Sequence, residues 1–286
     1  MKKLTAMVFL IVLTGAVSAQ IGAEMDGVKE KVIVSALNYM EGGDFGDTER
    51  MAKAIHYELT KVTPTTIPQT GKTFLRNMGY TALMEAIRPA ADSPPEKSMA
   101  KADVLAVKEG LAMVRVISDK FYDYLQMAEI AGEWKIINAL WIFHPDFRKD
   151  PAAEPENIEA DKAAVEAACM DYIEGSFSGD AERMEKALHP ELTKVFPVKH
   201  PGTGRMMLQK MGAGSLIGGT EAKWGMVEEG KRNIEFKLLD IQRNIAFAEV
   251  LSSMYYDYCQ LAKVNGDWKI VNVLWKMNPD APVRGS

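Results

Sequence analysis

The sequence has no excess of positive charge: its 34 lysine and arginine residues are outnumbered by 39 aspartate and glutamate residues, for a formal net charge of −5. Proteins that bind nucleic acid depend on basic patches that neutralise phosphates. The composition therefore argues against DNA or RNA as a partner. Histidines are also few, four in 286 residues, and their spacing is not that of metal ligands, so no metal site is predicted.

Motifs for nucleotide binding and for nucleophilic catalysis are missing as well. Gly71-Lys72-Thr73 ends like a phosphate-binding loop, but Thr66 stands where that loop needs its leading glycine. No Gly-x-Ser-x-Gly sequence supplies a nucleophile elbow. No cofactor is therefore predicted, and no motif identifies a reaction.

Only two cysteines are present, Cys169 and Cys259. In an exported protein they are free to form a disulfide. The residues that match them in the repeat described below, Ala36 and Leu125, are apolar, which instead indicates buried thiols that act as small hydrophobic side chains. Both interpretations stay open, because the sequence does not give the distance between the two Cα atoms.

The N-terminal apolar run, residues 4–17, is short for a membrane span. It follows Lys2 and Lys3 and ends in the small residues around Ala19, which is the pattern of a signal peptide. We expect residues 1–19 to be removed by cleavage near Ala19, leaving an exported protein, periplasmic or extracellular, without stable membrane insertion. An uncleaved anchor is the alternative.

What the sequence does contain is an internal repeat. Residues 39–79 align with residues 172–212 at an offset of 133, and about half of the aligned residues are identical. The alignment resumes between residues 122–146 and 256–280 at an offset of 134. A duplicated unit is therefore predicted.

The repeat defines the expected domains. The first copy is expected at residues 24–147 and the second at residues 159–281. The segment between them, residues 148–158, contains prolines and acidic residues and is predicted to be an exposed linker.

Each copy is predicted to begin with two helices. In the second copy, apolar residues recur at helical spacing from Asp161, the expected N-cap, to Gly175, the expected end of the first helix. A second helix is predicted from Asp180 to His189, where Pro190 stops it.

The last part of each copy is predicted to be an antiparallel sheet, because β-branched and aromatic residues are frequent there. In the second copy Asn265-Gly266 is a two-residue hairpin turn. Pairing outward from it places Leu261 opposite Ile270, Cys259 opposite Asn272 and Asp257 opposite Leu274. Both faces are apolar, so one should meet the helices and the other should pack on the other copy, as a pseudo-twofold dimer within one chain.

Helices followed by a sheet that ends in Gly-x-Trp-Lys-Ile resemble the nuclear transport factor 2-like superfamily, and within it the "putative lumazine-binding" group, which is related to SnoaL-like cyclases. The residues that carry the resemblance are Tyr172-Ile173-Glu174-Gly175, Gly179-Asp180, Leu188-His189-Pro190-Glu191-Leu192, Asp257-Tyr258-Cys259-Gln260-Leu261 and Gly266-Asp267-Trp268-Lys269-Ile270, with counterparts in the first copy.

The resemblance implies an α+β fold of two tandem cone-shaped units, each with N-terminal helices packed on a curved antiparallel sheet and a pocket between them. The superfamily includes isomerases, dehydratases, cyclases and many members without known activity. It therefore implies the fold better than the function.

Four residues are candidates for catalysis. Asp123 and Asp257 lie among aromatic strand residues, where a carboxylate is able to act as a general base; the alternative is a carboxylate that is solvated or bonded to a neighbour. His56 and His189 are expected at the end of the second helix, where an imidazolium favours the helix dipole; the alternative is a pocket base.

A further set of residues is predicted to line the pockets. Four are aromatic, and the alternative is that they belong to the hydrophobic core: Tyr39, Trp134, Tyr172 and Trp268. Two are amides, and the alternative is that they satisfy local backbone groups: Asn138 and Asn272.

Three functions fit these observations. The first is an exported, non-catalytic protein with two cone-shaped pockets for a small organic ligand. The second is an enzyme of isomerase, dehydratase or cyclase type, with a pocket Asp or His as general base and Asn272 polarising a carbonyl. The third is a sheet face that binds a protein partner.

Overall fold

The computed structural model of the chain describes residues 2–149 and 157–282, with side chains from residue 24 onward. The expected signal peptide falls where no side chain is described, and most of the expected linker falls outside the described residues. Both stay predictions, as do the expected domain bounds. In the described part of the chain, no helix has the length and apolar character needed to cross a membrane.

The first copy contains three helices and six strands. The helices are α1 (Lys2–Phe45), α2 (Thr48–Ala54) and α3 (Tyr80–Ile87). The strands are β1 (Ile55–Thr66), β2 (Thr73–Met78), β3 (Lys101–Lys108), β4 (Leu111–Ile117), β5 (Phe121–Ile130) and β6 (Glu133–Phe143). A 3-10 turn, Arg88–Asp92, follows α3.

The second copy repeats this order. Its helices are α4 (Ile158–Ser178), α5 (Ala181–Ala187) and α6 (Ala213–Glu221). Its strands are β7 (Leu188–Lys199), β8 (Met206–Met211), β9 (Glu235–Gln242), β10 (Ile245–Leu251), β11 (Tyr255–Val264) and β12 (Asp267–Met277). The expected duplication and α+β class are confirmed.

Each copy forms one six-stranded sheet. The strand order is β2-β1-β6-β5-β4-β3 in the first copy and β8-β7-β12-β11-β10-β9 in the second. The pairs β1–β6 and β7–β12 are parallel and the other pairs are antiparallel. The sheet is thus mixed rather than wholly antiparallel, because the strand that follows the helices adds beside the last strand in the same direction.

The first helix of the second copy is longer than expected. Asn157, rather than Asp161, is the N-cap, and the helix ends at Gly179, which has a φ of 74°. Gly175 lies inside the helix, where α5 approaches closely: a Cβ at this position would lie 3.0 Å from the backbone nitrogen of Met184. Gly175 is therefore required by the close packing of α5 against α4, and it does not mark the end of the helix.

The second helix is shorter than expected. α5 begins after its N-cap Asp180 and ends at Ala187. Leu188 already has extended backbone and pairs with Ile270 of β12, so the strand begins before His189. His189 in β7 and its counterpart His56 in β1 are strand residues, and the expected position at a helix end is wrong.

A β-bulge changes the register of the last hairpin. The predicted turn is confirmed, since Asn265 and Gly266 both have positive φ, 53° and 96°. Leu261 pairs with Ile270 as predicted, but Val271 is an extra residue on β12, and the register beyond it is shifted.

The shift moves residues between the two faces of the sheet. Asn272 pairs with Gln260 and not with Cys259, and Asp257 lies opposite Trp275 and not Leu274. Because side chains alternate along a strand, Trp275 joins the face that meets the helices. Asn272 joins the opposite face. The first copy has the same irregularity, between Gln126 and Met127.

The described residues form three hydrophobic cores. One lies between the helices and the sheet in each copy. The third lies between the two sheets and joins residues from both copies, including Tyr124, Leu140, Phe247, Tyr258 and Leu274. The expectation that the copies pack sheet against sheet is therefore confirmed.

Candidate functional site

A lysine lies in the middle of the strand that follows the helices in each copy. Lys61 of β1 and Lys194 of β7 match in the repeat, and their side chains are 8% and 6% exposed. Leu59 and Leu192, two residues earlier on the same face, belong to the helix-side cores. Both ammonium groups therefore lie between sheet and helices, where a lysine is rare unless it is paired.

In the first copy the partner is Asp123 on β5. Lys61 Nζ donates a hydrogen bond to Asp123 Oδ1 at 2.9 Å, and the Tyr39 hydroxyl from α1 donates to the same oxygen at 2.6 Å. Lys61 Nζ also donates to the Tyr39 hydroxyl. Trp141 lies opposite Asp123 on β6, with its ring centroid 4.7 Å from Lys61 Nζ, which is a cation–π contact.

The second copy repeats this arrangement. Lys194 Nζ donates to Asp257 Oδ1 at 2.7 Å, and the Tyr172 hydroxyl donates to the same oxygen at 2.8 Å. Lys194 Nζ also donates to the Tyr172 hydroxyl, and it lies 4.5 Å from the ring centroid of Trp275. We call each set of three hydrogen-bonded side chains a Lys–Asp–Tyr cluster.

Burial dominates the electrostatics of both clusters. Burial raises the pKa of the Tyr39 hydroxyl, and the adjacent negative charge of Asp123 raises it further. Burial likewise raises the pKa of Tyr172, reinforced by Asp257. Burial lowers the pKa of the Lys61 ammonium, although the charge of Asp123 opposes that effect. Both tyrosines are therefore neutral hydrogen-bond donors at physiological pH.

The clusters leave buried polar atoms without partners. Oδ2 of Asp123 and Oδ2 of Asp257 have no hydrogen-bond partner among the described residues. A buried acceptor left in this state costs about 1–3 kcal/mol. A buried ion pair is also weak evidence for stability, since desolvation offsets much of the attraction. The two clusters therefore lower the stability of the fold, and destabilising buried groups of this kind are typical of functional sites.

The first cluster forms the base of a cavity of about 280 Å³. Side chains from α1, α2, α3, the following 3-10 turn and the sheet enclose it. Apart from the cluster and the charged residues Asp44 and Lys120, its lining is almost entirely apolar, with Met40, Met51, Met78, Leu83, Ile87, Phe121 and Trp141.

The second cavity is larger, about 470 Å³. Lys194 and Tyr172 form part of its lining, and aromatic side chains form much of the rest. Asp257 is fully buried behind them, bonded to both. Each copy therefore has its own cavity with an ammonium group in an apolar wall, the arrangement typical of sites for small molecules.

The structure places the predicted carboxylates and tyrosines together. Asp123 and Tyr39 line the first cavity, and Tyr172 lines the second with Asp257 directly behind it. Whether either aspartate acts as a base stays a prediction. The geometry adds that Oδ1 of each already accepts two hydrogen bonds, from an ammonium and from a phenol.

The two asparagines lie on the other face of the sheet, away from the cavities. Asn138 Nδ2 donates to Gln126 Oε1 at 2.7 Å, and Gln126 Nε2 donates to the backbone oxygen of Tyr258 in the other copy, also at 2.7 Å. Asn272 and Gln260 make the reciprocal bonds, the latter to the backbone oxygen of Tyr124. The expectation that Asn138 and Asn272 line a pocket is corrected, because the bulge turns them towards the interface.

Trp134 and Trp268 also lie away from the cavities. Trp268 is buried at the start of α4, where its Nε1 donates to Asp161 Oδ1 at 2.8 Å. The backbone oxygen of Trp134 accepts from Ser35 Oγ at 2.7 Å. Both belong to the helix-side cores, and Trp134 also lines a separate groove beside α1, so neither lines the two cavities that hold the clusters.

The two histidines lie outside the two cavities. Nδ1 of His56 accepts from the backbone N–H of Glu58, and Nδ1 of His189 accepts from that of Glu191, both at 3.1 Å. Burial lowers the pKa of both imidazoles. His189 lines a separate groove between the copies, with Phe74 and Asn265. Neither imidazole is placed to exchange a proton with a ligand in either cavity.

Sequence reasoning missed Lys61, Lys194, Trp141 and Trp275. A signal was present, since Glu-Leu-Thr-Lys-Val occurs identically at residues 58–62 and 191–195. A lysine flanked by apolar strand residues in both copies indicates a buried charge. The two tryptophans were missed because the bulge that places them beside the lysines is not visible in the sequence pattern.

Cys169 and Cys259 are buried free thiols within one core. The pKa of the Cys259 thiol is raised, first by hydrogen bonding with Cys169 and then by burial. The two thiols are therefore neighbours. They are not joined by a disulfide, and the interpretation as buried thiols that act as small hydrophobic side chains is confirmed.

Comparison with protein families matches residues 28–142 and 160–276 to a family described as "putative lumazine-binding". The two matched segments repeat the two structural copies. No curated protein matches the chain.

Solved structures similar to this chain each cover one copy. An NTF2-like protein of unknown function from Shewanella baltica is 18% identical over 42% of this chain and 95% of its own, with a TM-score of 0.33. A ketosteroid isomerase-like protein from Erwinia carotovora atroseptica is 15% identical over 40% and 94%, with a TM-score of 0.30. A hexachlorocyclohexane dehydrochlorinase is 14% identical over 45% and 93%, also with a TM-score of 0.30.

Proposed function

Since this chain belongs, in both of its halves, to the "putative lumazine-binding" family, we propose that it is a binding protein that holds one small organic ligand in each half. The observation that carries the proposal is the buried ammonium group in the wall of an apolar cavity, found twice. An apolar ligand with one acceptor, such as a carboxylate or carbonyl oxygen, fits a wall of this kind. Its body contacts the apolar lining while its acceptor meets Lys61 or Lys194.

The geometry favours binding over general-base catalysis. The proposed base would be Asp123 or Asp257, but each has an oxygen committed to a lysine and a tyrosine. The histidines lie outside the two cavities, and Asn272, the group expected to polarise a carbonyl, lies in the interface between copies. The residues required by the enzyme hypothesis therefore do not converge on one cavity.

Binding of a protein partner to a sheet face is the less favoured function. The sheet face that does not meet the helices is covered by the other copy. The surface that this hypothesis required is therefore already occupied within the chain.

Export is part of the proposal. Lys2 and Lys3, the apolar residues 4–17 and the small residues near Ala19 support cleavage and release outside the cytoplasm. N-terminal sequencing of the protein from the periplasmic and culture fractions tests this. A mature chain beginning near Gln20 supports export, and an intact N-terminus in the cytoplasm contradicts it.

Calorimetric titration tests the binding function. The probes are octanoate, 1-naphthoate and lumazine, the last because the family description names it. The anchor is removed by Lys61→Met with Asp123→Asn in the first copy and by Lys194→Met with Asp257→Asn in the second. Each double substitution removes the charge pair together, so that no buried charge is left unpaired.

The wild-type chain should bind at least one probe, and the variant of the occupied copy should weaken that binding about tenfold or more, the loss expected for a charge-assisted hydrogen bond of about 1.5–3 kcal/mol. Lys72→Met, an exposed lysine outside both cavities, is the matched control and should bind like the wild type. Binding that survives both double substitutions unchanged would show that the lysines are not the anchors.

A further inference from the structure

The two cavities have diverged although their clusters have not. They differ in volume, about 280 Å³ against about 470 Å³. Their walls differ in the helical segment, where the two copies diverge most in sequence, and also at single positions within the aligned segments. The constant clusters and the variable walls indicate one mode of anchoring and two kinds of ligand.

Aromatic rings line much of the second cavity. The strands contribute Phe196, Tyr255 and Trp275, and the loop after α6 contributes Trp224. Phe196 and Trp275 lie with their ring centroids 4.7 Å apart. Phe121 and Trp141 match Tyr255 and Trp275 and line the first cavity, whereas Phe196 is matched there by Thr63, so Phe196 and Trp224 are the rings particular to the second cavity.

Glycines hold Trp224 at the mouth of the second cavity. Its ring lies directly on α6: a Cβ added at Gly219 would be 3.1 Å from Trp224 Cε3. The next residue, Gly225, passes so close to Ser176 that a Cβ would lie 2.5 Å from its Oγ. In the first copy Ala86 matches Gly219, and the segment after α3 is a 3-10 turn with no tryptophan.

The mouths of the two cavities also differ in charge. Asp44 and Lys120 line the first, with Lys120 Nζ 4.0 Å from Asp44 Oδ1. The matching residues in the second copy are Phe177 and Met254, both buried in the core. The second cavity therefore lacks this charged pair, and of its described lining residues Lys194 alone is charged.

A second donor is present beside the anchor of the second cavity. Trp275 lines this cavity, and its buried Nε1 has no hydrogen-bond partner among the described residues. Together with Lys194 Nζ it gives two donors in one wall. A ligand that carries acceptor atoms along one edge matches this wall.

We infer that the second cavity selects a planar aromatic or heteroaromatic molecule with acceptor atoms on one edge, whereas the first selects a smaller aliphatic acid. A flat ring enters between Trp224 on the helical side and Phe196 and Trp275 on the strand side. Aromatic pairs add to simple burial in such an arrangement. The inference rests on the proposed binding function and goes further by assigning a ligand class to each copy.

Calorimetry with pocket-blocking variants of the full chain tests this inference. Ala86→Trp on α3 narrows the first cavity, and Ser215→Trp on α6 narrows the second, each from an exposed position that leaves the buried cluster intact. 1-Naphthoate should bind with one site per chain, and that binding should be lost in Ser215→Trp and kept in Ala86→Trp. Octanoate should show the reverse dependence.

Trp224→Ala should weaken 1-naphthoate binding about fivefold or more without changing octanoate binding, given about 1 kcal/mol for the lost aromatic contact. The matched control is Met226→Ala, an exposed apolar residue of the same loop that does not line the cavity. Two equivalent naphthoate sites, or affinity unchanged by Trp224→Ala, would overturn the inference while leaving the binding function intact. If no probe binds the wild type, both fail.

Discussion

At the scale of single residues, the proposed binding depends on two lysines that the fold keeps buried. Each is paired with one aspartate and one tyrosine and lies against a tryptophan ring. An ion pair in such a place adds little stability by itself, but removing one partner leaves an uncompensated buried charge. A single substitution should therefore destabilise the protein more than the double substitution that removes both charges.

Lys61→Met alone should lower the free energy of unfolding by about 3–5 kcal/mol, because Asp123 is left charged and unpaired. Adding Asp123→Asn should recover most of the lost stability, because it removes the unpaired charge and its amide oxygen still accepts a hydrogen bond from Tyr39. Urea unfolding at neutral pH measures both. Equal losses in the single and double variants would show that the charge of Asp123 is compensated elsewhere.

Protonation of the two strand histidines should destabilise the protein in mild acid. Burial lowers the pKa of His56 and His189 in the folded chain, so the unfolded chain binds protons more readily. Their stabilising effect is complete above the unfolded pKa of about 6.5 and declines as the pH falls through the folded pKa.

Thermal unfolding between pH 7.5 and 5 measures this effect. The wild-type melting temperature should fall as the pH drops below about 6.5, and the His56→Gln, His189→Gln variant should show a flatter profile. A variant whose profile parallels that of the wild type would assign the acid sensitivity to other groups.

At the scale of elements, the sequence predicted those features that depend on a few neighbouring residues, such as turns and helix starts. The hairpin turn at Asn265-Gly266 and the start of α5 at Asp180 follow from turn and capping chemistry, and the structure has both. The bulge at Val271 was missed because a bulge depends on what both faces of the sheet must contact. That one residue decides which face carries Asn272 and Trp275, and so it decides which residues reach the cavity.

Helix packing explains a second difference. Gly42 and Gly175 match a helix-ending pattern, yet both lie inside helices because the next helix crosses them closely. The spacing of glycines in the sequence does not show whether a glycine is needed for a positive φ angle or for the close approach of another helix. The helix ends one turn later, at Gly179.

The amide bonds between the sheets should contribute measurably to stability. Gln126→Leu leaves the Tyr258 backbone oxygen and the Asn138 Nδ2 group without partners, and so should lower the free energy of unfolding by at least about 2 kcal/mol. Gln69→Leu, in the exposed β1–β2 loop, is the matched control. Urea unfolding measures the free energy of unfolding of both variants. Equal losses would mean that water or other groups replace the hydrogen bonds of Gln126.

At the scale of the whole molecule, duplication supplies a partner for each sheet. The two copies bury a shared apolar face through reciprocal contacts, which matches the pseudo-twofold arrangement expected from the sequence. This level was predictable because both faces of the last strands are apolar. The proposed ligand preferences were not, since they depend on how Phe196 in place of Thr63, and Trp224 in the diverged segment, shape the second cavity.

An isolated second copy, residues 159–281, should not stay monomeric. Its exposed sheet face includes Phe247, Tyr258 and Leu274, which are buried only by the other copy. Light scattering after size-exclusion chromatography should show a dimer or larger species, and Phe247→Asp should reduce the association. A stable monomer with an unmodified face would contradict the described interface.

The most direct test of the central claim is a crystal structure of the chain grown with octanoate and 1-naphthoate. Electron density for one ligand is expected in each half, with a carboxylate oxygen within hydrogen-bond distance of Nζ of Lys61 in the first copy and of Lys194 in the second. Ligand density confined to the outer surface or to the groove between the copies, with both lysines bonded only to aspartate and tyrosine, would contradict it.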